Sequence, residues 1–318
     1  MSTRTRVAVI GGGQNCEHDV SLASAAAVAA ALATGAYDVV RLTIDPEGIW
    51  RDGEQRPIGL AGAVHVLRTC AVALPVLHGP RGEDGTVAAL CDLAGVPYVG
   101  SGVGAGALAM DKWATKLVAR GLGVAVADDV LLTPATAPAH VFTHPVVVKP
   151  VAAGSSHGVT LVRRAEELAP ALAAALALDD RVLVEEVVTG REVDVAVLGR
   201  PDGTRVVAPA LEIVTDGIFD HATKYDGSAD FRIPATLTQT ERKALEQAAV
   251  GMYDALGCGG VARIDFFVTA DGPVLNEVNT MPGFTEQSQV PKMFAAAGTS
   301  YADLLELLVH DVLHQHAA

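Results

Sequence analysis

The opening half of the chain alternates short β-branched runs with Ala- and Leu-rich stretches of helical length, and few folds satisfy that order. Val7–Ile10 and Val72–Leu77 contain no charged or amide residue, as befits strands covered on both faces. The stretches between them are long enough for crossover helices, which makes this a mixed α/β chain opening on a parallel sheet. Gly11-Gly12-Gly13 should turn the first strand into a helix beginning near Asp19 or Ser21, either of which is able to cap it. The pattern predicts a short strand at Val96–Val99, a helix over Asp111–Arg120, and strands at Pro145–Lys149 and Val182–Val188. Thr238 and Glu241 form a capping box ahead of a helix that Gly257 should stop. Two strands, Ala262–Val268 and Val274–Val278, then flank an Asp271-Gly272 turn.

With 318 residues, half of them hydrophobic, the chain is long and apolar enough for two or three packed domains. Only 4% are aromatic, so Ala, Val and Leu must build the core. A formal charge of −14 argues against nucleic acid or an anionic membrane as partner. No uncharged apolar run approaches the roughly 18 residues of a membrane helix, and MSTRTR runs straight into a strand, leaving no room for a signal peptide. Cys16, Cys70, Cys91 and Cys258 show no metal or redox spacing and read as reduced thiols. A cytoplasmic protein is expected.

The glycine turn invites a nucleotide reading, but the standard fingerprints fail: a dinucleotide site needs a small residue where Cys16 stands, and no stretch spells a phosphate loop. The last third offers a different site. Arg263 and Asp265 stand two apart on a strand otherwise apolar, and Glu277 and Asn279 do the same on its neighbour. Two carboxylates and an amide oxygen suit Mg²⁺, a hard cation that takes oxygen ligands. The same alternation fits a half-solvated hairpin. The turn Thr280–Thr285 favours the site, because its backbone N–H groups are available to an oxyanion. Lys149 ends an apolar strand, Lys112 begins a helix, and Gly154-Ser155-Ser156 forms a small-residue loop. Together these describe phosphoryl-transfer equipment that lacks a phosphate-loop motif.

These residues resemble the ATP-grasp ligases, and within them the D-alanine–D-alanine ligases, over nearly the whole chain. The resemblance rests on Glu17-His18-Asp19-Val20-Ser21-Leu22, His78-Gly-Pro-Arg-Gly-Glu-Asp-Gly85, Gly100-Ser101-Gly102-Val103 with Met110-Asp111-Lys112, and Lys149-Pro150 with Gly154-Ser155-Ser156. It continues through Glu185-Glu186, Gly190-Arg191-Glu192, Lys224-Tyr225, Arg263-Ile-Asp265 and Glu277-Val-Asn279-Thr-Met-Pro-Gly283. It implies a three-domain ATP-grasp fold: an N-terminal domain over 1–100, and two domains, 101–186 and 187–318, that clamp ATP. It also implies a homodimer acting on small molecules in peptidoglycan precursor synthesis, with ATP and two Mg²⁺ ions (Mn²⁺ able to substitute).

The family's chemistry gives the positions their expected roles. ATP phosphorylates the carboxylate of a first D-alanine, and the amine of a second attacks the acyl phosphate. Glu17 would meet the first ammonium, with His78 on the carboxylate side, and Ser288 would meet the second carboxylate beside Gln289. Arg263 and the Gly283 N–H would hold the oxyanion. Lys112 and Lys149 would hold ATP phosphates and Lys224 the transferring phosphoryl group. Glu185 and the backbone at Val188 would meet adenine, Glu192 the ribose, and Asp265, Glu277 and Asn279 the metal. Ser155 and Tyr225 belong to two loops expected to bond over the site and exclude water. Three positions depart from the family pattern: Ala153 and His221, where an acidic residue and a tyrosine are common, and Gln289, where Leu or Met is common. A polar Gln289 in an apolar pocket calls for a partner. An acceptor with a hydroxyl side chain, D-serine, would supply one, whereas Tyr225 argues for an amine over the hydroxyl of D-lactate.

Overall fold

The computed structural model of the chain describes residues 4–214 and 230–316. Among these residues three sheets form. The first has the order β3-β2-β1-β4, built from β1 (Thr5–Gly12), β2 (Tyr37–Ile44), β3 (Trp50–Arg51) and β4 (Val72–Pro75). Strand β1 runs parallel to both β2 and β4, as the alternation requires. Its apolar run serves two cores: Val7 and Val9 face one, and Ala8 and Ile10 face the other. Helices α1 (His18–Ala33), α2 (Gly59–Leu67) and α3 (Thr86–Ala94) provide the crossovers.

Helices α4 (Val103–Met110) and α5 (Lys112–Gly121) lead to β5 (Ala125–Val126), which joins a second sheet. The third sheet, β6-β9-β7-β8, is antiparallel throughout and is made of β6 (Asp129–Leu132), β7 (Val146–Pro150), β8 (Thr160–Val162) and β9 (Val182–Glu186). Helix α6 (Ala165–Leu176) covers one of its faces. The second sheet has the order β13-β12-β10-β14-β15-β5, with β11 paired to β10. Its strands are β10 (Arg191–Gly199), β11 (Arg205–Val207), β12 (Leu211–Val214), β13 (Asp230–Arg232), β14 (Val261–Thr269) and β15 (Gly272–Asn279). The helix Gln239–Leu256 lies on it through Leu245, Ala249 and Met252. It has the expected capping box at Thr238, and Gly257 closes it in a left-handed conformation.

Several local expectations are corrected. Strand β1 runs on to Gly12, and β9 stops at Glu186, short of Val188. Val96–Val99 amounts to one bridge, between Tyr98 and Ala73. Helix α1 starts at His18 with Glu17 at its cap position and no side-chain cap bond. Ser21 is occupied elsewhere: its hydroxyl accepts from the Gly12 N–H at 2.9 Å and donates to the Val76 carbonyl at 2.5 Å. The four cysteines are free thiols. Among the described residues no helix is long and apolar enough to cross a membrane.

The first and second sheets share one core. The helix Tyr301–Gln315 near the C-terminus buries Leu304, Leu305, Leu308 and Val309 in the same core as Val28, Leu32, Val72 and Leu74. The loop entering α1, the loop after β4 and the end of β15 therefore converge.

Candidate active site

The β14–β15 hairpin forms the floor of the site. Its register sets Asp265 opposite Glu277 and Arg263 opposite Asn279, with Ile264, Phe266 and Val268 buried on the other face. A bulge follows at once: Phe266 pairs with Leu275, so Asn276 is the extra residue on β15. Strict alternation would put Leu275 and Glu277 on one face. The bulge breaks that parity: Leu275, opposite Phe266, packs into the core while still bordering the cavity between the second and third sheets, and Glu277 pairs with Asp265 on the site face.

Two cavities meet at this floor. One, of about 370 Å³, is lined by Glu17, His78, Ser155, Arg263, Gly283 and Ser288, and also takes in Gln289. The other, of about 400 Å³, lies between the second and third sheets and is lined by Lys112, Lys149, Glu185, Val188 and Glu192. Glu277 lines both. Asp265 lies beneath the floor, 3% exposed. Lys224, Tyr225 and His221 lie outside the described residues.

In the first cavity Glu17 is buried at the entrance to α1, and the Ser155 hydroxyl donates to its Oε1. Gly154 approaches so closely that a Cβ there would collide with Glu17 Oε2. The small-residue loop after β7 thus reaches across to the start of α1. Lys112 steadies the same loop, donating to the Ala153 carbonyl at 2.9 Å while lying 3.6 Å from Glu277 Oε2.

Arg263 forks onto Asp265, with Nε donating to Oδ1 and Nη2 to Oδ2, both at 2.7 Å. Its Nη1 donates to Gln289 Oε1 at 2.6 Å. A guanidinium has five N–H groups, so two donate to neither Asp265 nor Gln289. The Gln289 amide oxygen therefore already has a partner within the protein. Ser288 lies beside Gly283, and its hydroxyl oxygen accepts from the Thr285 N–H at 3.0 Å.

His78 is 3% exposed, and both ring nitrogens are used internally. Nδ1 lies 2.8 Å from the Met281 carbonyl and must carry the proton, because a carbonyl only accepts. Nε2 then accepts from the Ser24 hydroxyl at 3.1 Å, whose oxygen in turn accepts from the Phe284 N–H at 3.2 Å. Burial lowers the imidazole pKa, although the nearby Glu17 acts against it, so the ring is neutral. It works as a strut between α1, the loop after β4 and the turn after β15.

Four contributors escaped the sequence reading. Glu83 accepts from the Gly79 N–H at 3.0 Å and the Met281 N–H at 3.1 Å, tying the loop after β4 to the turn after β15. Asn15 donates to the carbonyls of His78 and Pro80, both at 2.8 Å. Ser21 and Ser24 hold the back of the site. Their signal is present in the sequence, since Glu17, Ser21 and Ser24 fall at i, i+4 and i+7, one polar stripe on an alanine-rich helix.

The donors on the hairpin fit a hard divalent cation. Asp265 Oδ2 receives two N–H groups, from Arg263 and from the Asn279 amide at 3.0 Å, but Oδ1 receives one and keeps a lone pair. Glu277 and the Asn279 amide oxygen stand on the same face, giving oxygen donors only.

Known proteins resemble this chain over nearly its whole length. Residues 6–101 match the family model described as D-ala D-ala ligase N-terminus, and residues 125–310 match D-ala D-ala ligase C-terminus. The chain is 41% identical to a D-alanine–D-alanine ligase of Corynebacterium glutamicum, covering 99% of this chain and 98% of the relative. Among solved structures, the VanG D-Ala:D-Ser ligase from Enterococcus faecalis superposes with a TM-score of 0.82 at 35% identity, covering 96% of this chain and 99% of that one. The D-alanine–D-alanine ligase from Bacillus anthracis complexed with ATP gives 0.80 at 27% identity, covering 98% and 99%.

Glu83 yields a pH prediction. Burial, with the Glu17 carboxylate nearby, pushes its pKa up to about 8. Between the ordinary carboxylate pKa and that value the folded chain holds a proton that the unfolded chain has released. Stability from this group is full below the unfolded pKa and is lost as pH rises through about 8. Glu83→Gln should therefore flatten the fall in the urea midpoint between pH 5 and 8; parallel profiles for variant and wild type would refute the assignment. On the sequence motifs, the converging cavities and these matches, the chain belongs to the D-alanine–D-alanine ligase family.

Proposed function

We propose that the chain joins two D-alanines at the expense of ATP, supplying D-alanyl-D-alanine for peptidoglycan precursors. One observation carries the reading: the amino-acid cavity and the nucleotide cavity share a single wall, Glu277, at the end of a polar hairpin. A carboxylate entering from one side and a γ-phosphate entering from the other would meet there.

The first D-alanine binds with its ammonium against Glu17, whose Oε2 has no hydrogen-bond partner among the described residues. Its carboxylate oxygen attacks the γ-phosphorus, and ADP leaves. The amine of the second D-alanine then attacks the acyl carbon, and the tetrahedral intermediate expels phosphate. The two remaining N–H groups of Arg263 and the N–H of Gly283 stabilise its oxyanion. Ser288 meets the second carboxylate. Lys112 and Lys149 hold phosphates, and Lys224 joins them by the resemblance. Glu185 and Val188 take the adenine and Glu192 the ribose. Asp265, Glu277 and Asn279 would hold Mg²⁺, which when bound neutralises charge on the transferring phosphoryl group. Ser155, already on Glu17, keeps water from the acyl phosphate, and Tyr225 is assigned the same task. The division at residues 100 and 186 is our proposal for the domain boundaries.

Purified chain given ATP, Mg²⁺ and D-alanine should release one ADP per dipeptide. Glu277→Gln should cut that rate by about 10²-fold or more, since several kcal/mol of charge stabilisation is at stake. Near-normal ADP release by this variant would reduce the hairpin to a solvated surface.

A second reading, with D-serine as acceptor, is favoured by the polar Gln289 in the acceptor cavity. The Arg263–Gln289 bond supports D-alanine instead. Gln289→Leu should lower turnover with both acceptors alike, by loosening Arg263. A shift of about tenfold toward D-alanine, the size expected of one buried hydrogen bond to substrate, would favour the D-serine reading.

A further inference from the structure

Helix α5 presents three cations one turn apart, at Lys112, Lys116 and Arg120. Lys112 serves the loop over the site, and Arg120 lies at the rim, its Nη2 2.7 Å from Asp129 Oδ2. Lys116, between them, is 2% exposed, and the mechanism above does not use it. Its Nζ lies 2.6 Å from Asp129 Oδ2 and 2.7 Å from Glu185 Oε1. Asp129 and Glu185 stand directly opposite one another across β6 and β9. Lys149 completes the group from β7, 2.8 Å from Glu185 Oε2. Each oxygen of Glu185 thus receives one ammonium, and the carboxylate borders the nucleotide cavity.

Two buried carboxylates in register repel each other unless a cation lies between them. Burial acts to raise the pKa of Glu185, but the ammoniums of Lys149 and Lys116 outweigh it and hold the group ionised. An ionised carboxylate only accepts hydrogen bonds; a protonated one also donates. A 6-amino purine offers a donor at its exocyclic position, whereas a 6-oxo purine offers an acceptor.

We propose that Lys116 is a positioning residue of the nucleotide site: by bridging Asp129 and Glu185 it fixes Glu185 as an acceptor-only group and so sets the preference for a 6-amino over a 6-oxo purine triphosphate. The inference rests on the placement of ATP in this cavity. Without Lys116, the cation between the two carboxylates is gone and only Lys149 on Glu185 and Arg120 on Asp129 remain; Glu185 then takes up a proton more readily, and its hydroxyl donates to the 6-oxo oxygen.

The test is equilibrium binding of ATP and of inosine triphosphate, with Mg²⁺ and without D-alanine, to wild type, Lys116→Met, Lys116→Arg and Lys149→Met. Lys116→Met should narrow the ATP-to-ITP affinity ratio at least fivefold, and more so as pH is lowered. Lys116→Arg, which keeps the bridging charge, should recover most of the ratio. If Lys116→Met does not fold, Lys116→Gln, which keeps hydrogen bonds to both carboxylates but loses the charge, should show the same narrowing, and adding Asp129→Asn to either variant should restore most of the wild-type ratio. A ratio within twofold of wild type in the folded variant, with ATP binding weakened by Lys149→Met, overturns the role of Lys116 alone. If Lys149→Met also leaves ATP binding unchanged, the nucleotide is elsewhere and both readings fall.

Discussion

The site depends on the pairing of β14 with β15. Setting Asp265 against Glu277 and Arg263 against Asn279 puts two carboxylates, an amide and a guanidinium on one face of a hairpin whose other face is core. Arg263 lies between Asp265 and Asp194, with its Nε 3.6 Å from Asp194 Oδ2, and their charges hold it cationic despite burial. The bulge at Asn276 then delivers Glu277 to the boundary of both cavities. A slip of β15 by one residue would send Glu277 and Asn279 to the apolar layer of Ile264 and Phe266.

The rest of the molecule brings substrates to that floor. Glu83, His78 and Ser24 tie the N-terminal sheet to Met281 and Phe284, so the turn bearing Gly283 has a fixed position relative to Glu17. The third sheet supplies Lys149 and Glu185 from adjacent strands, and its loop crosses to Glu17 through Gly154 and Ser155. Most of these ties use a backbone N–H or carbonyl on one side. They fix geometry without needing the exposed ion pairs that contribute little in water.

Most of the floor was legible because strand alternation is a local signal. Arg263, Asp265, Glu277 and Asn279 stand out as charges and amides within apolar runs, and Lys149 as a charge at the end of one. What escaped depends on partners distant in sequence. Glu83 earns its role from an N–H at Met281, and Lys116 looks like any lysine on a helix until β6 and β9 bring Asp129 and Glu185 to it. The cap of α1 was misread for the same reason, since Ser21 has a better use between Gly12 and Val76. Gln289 read as an unpartnered polar group because nothing in the sequence brings Arg263 to it.

The central claim is that a carboxylate and a γ-phosphate meet over this hairpin, so the bond they form is the thing to measure. D-alanine carrying ¹⁸O in both carboxylate oxygens, incubated with the chain, ATP and Mg²⁺, leaves a direct record in the phosphate released. The account predicts one ¹⁸O in the inorganic phosphate for each dipeptide formed, with the other ¹⁸O of the first residue kept in the amide. Phosphate free of label, with dipeptide still formed, would show that the carboxylate is not phosphorylated and would contradict the account.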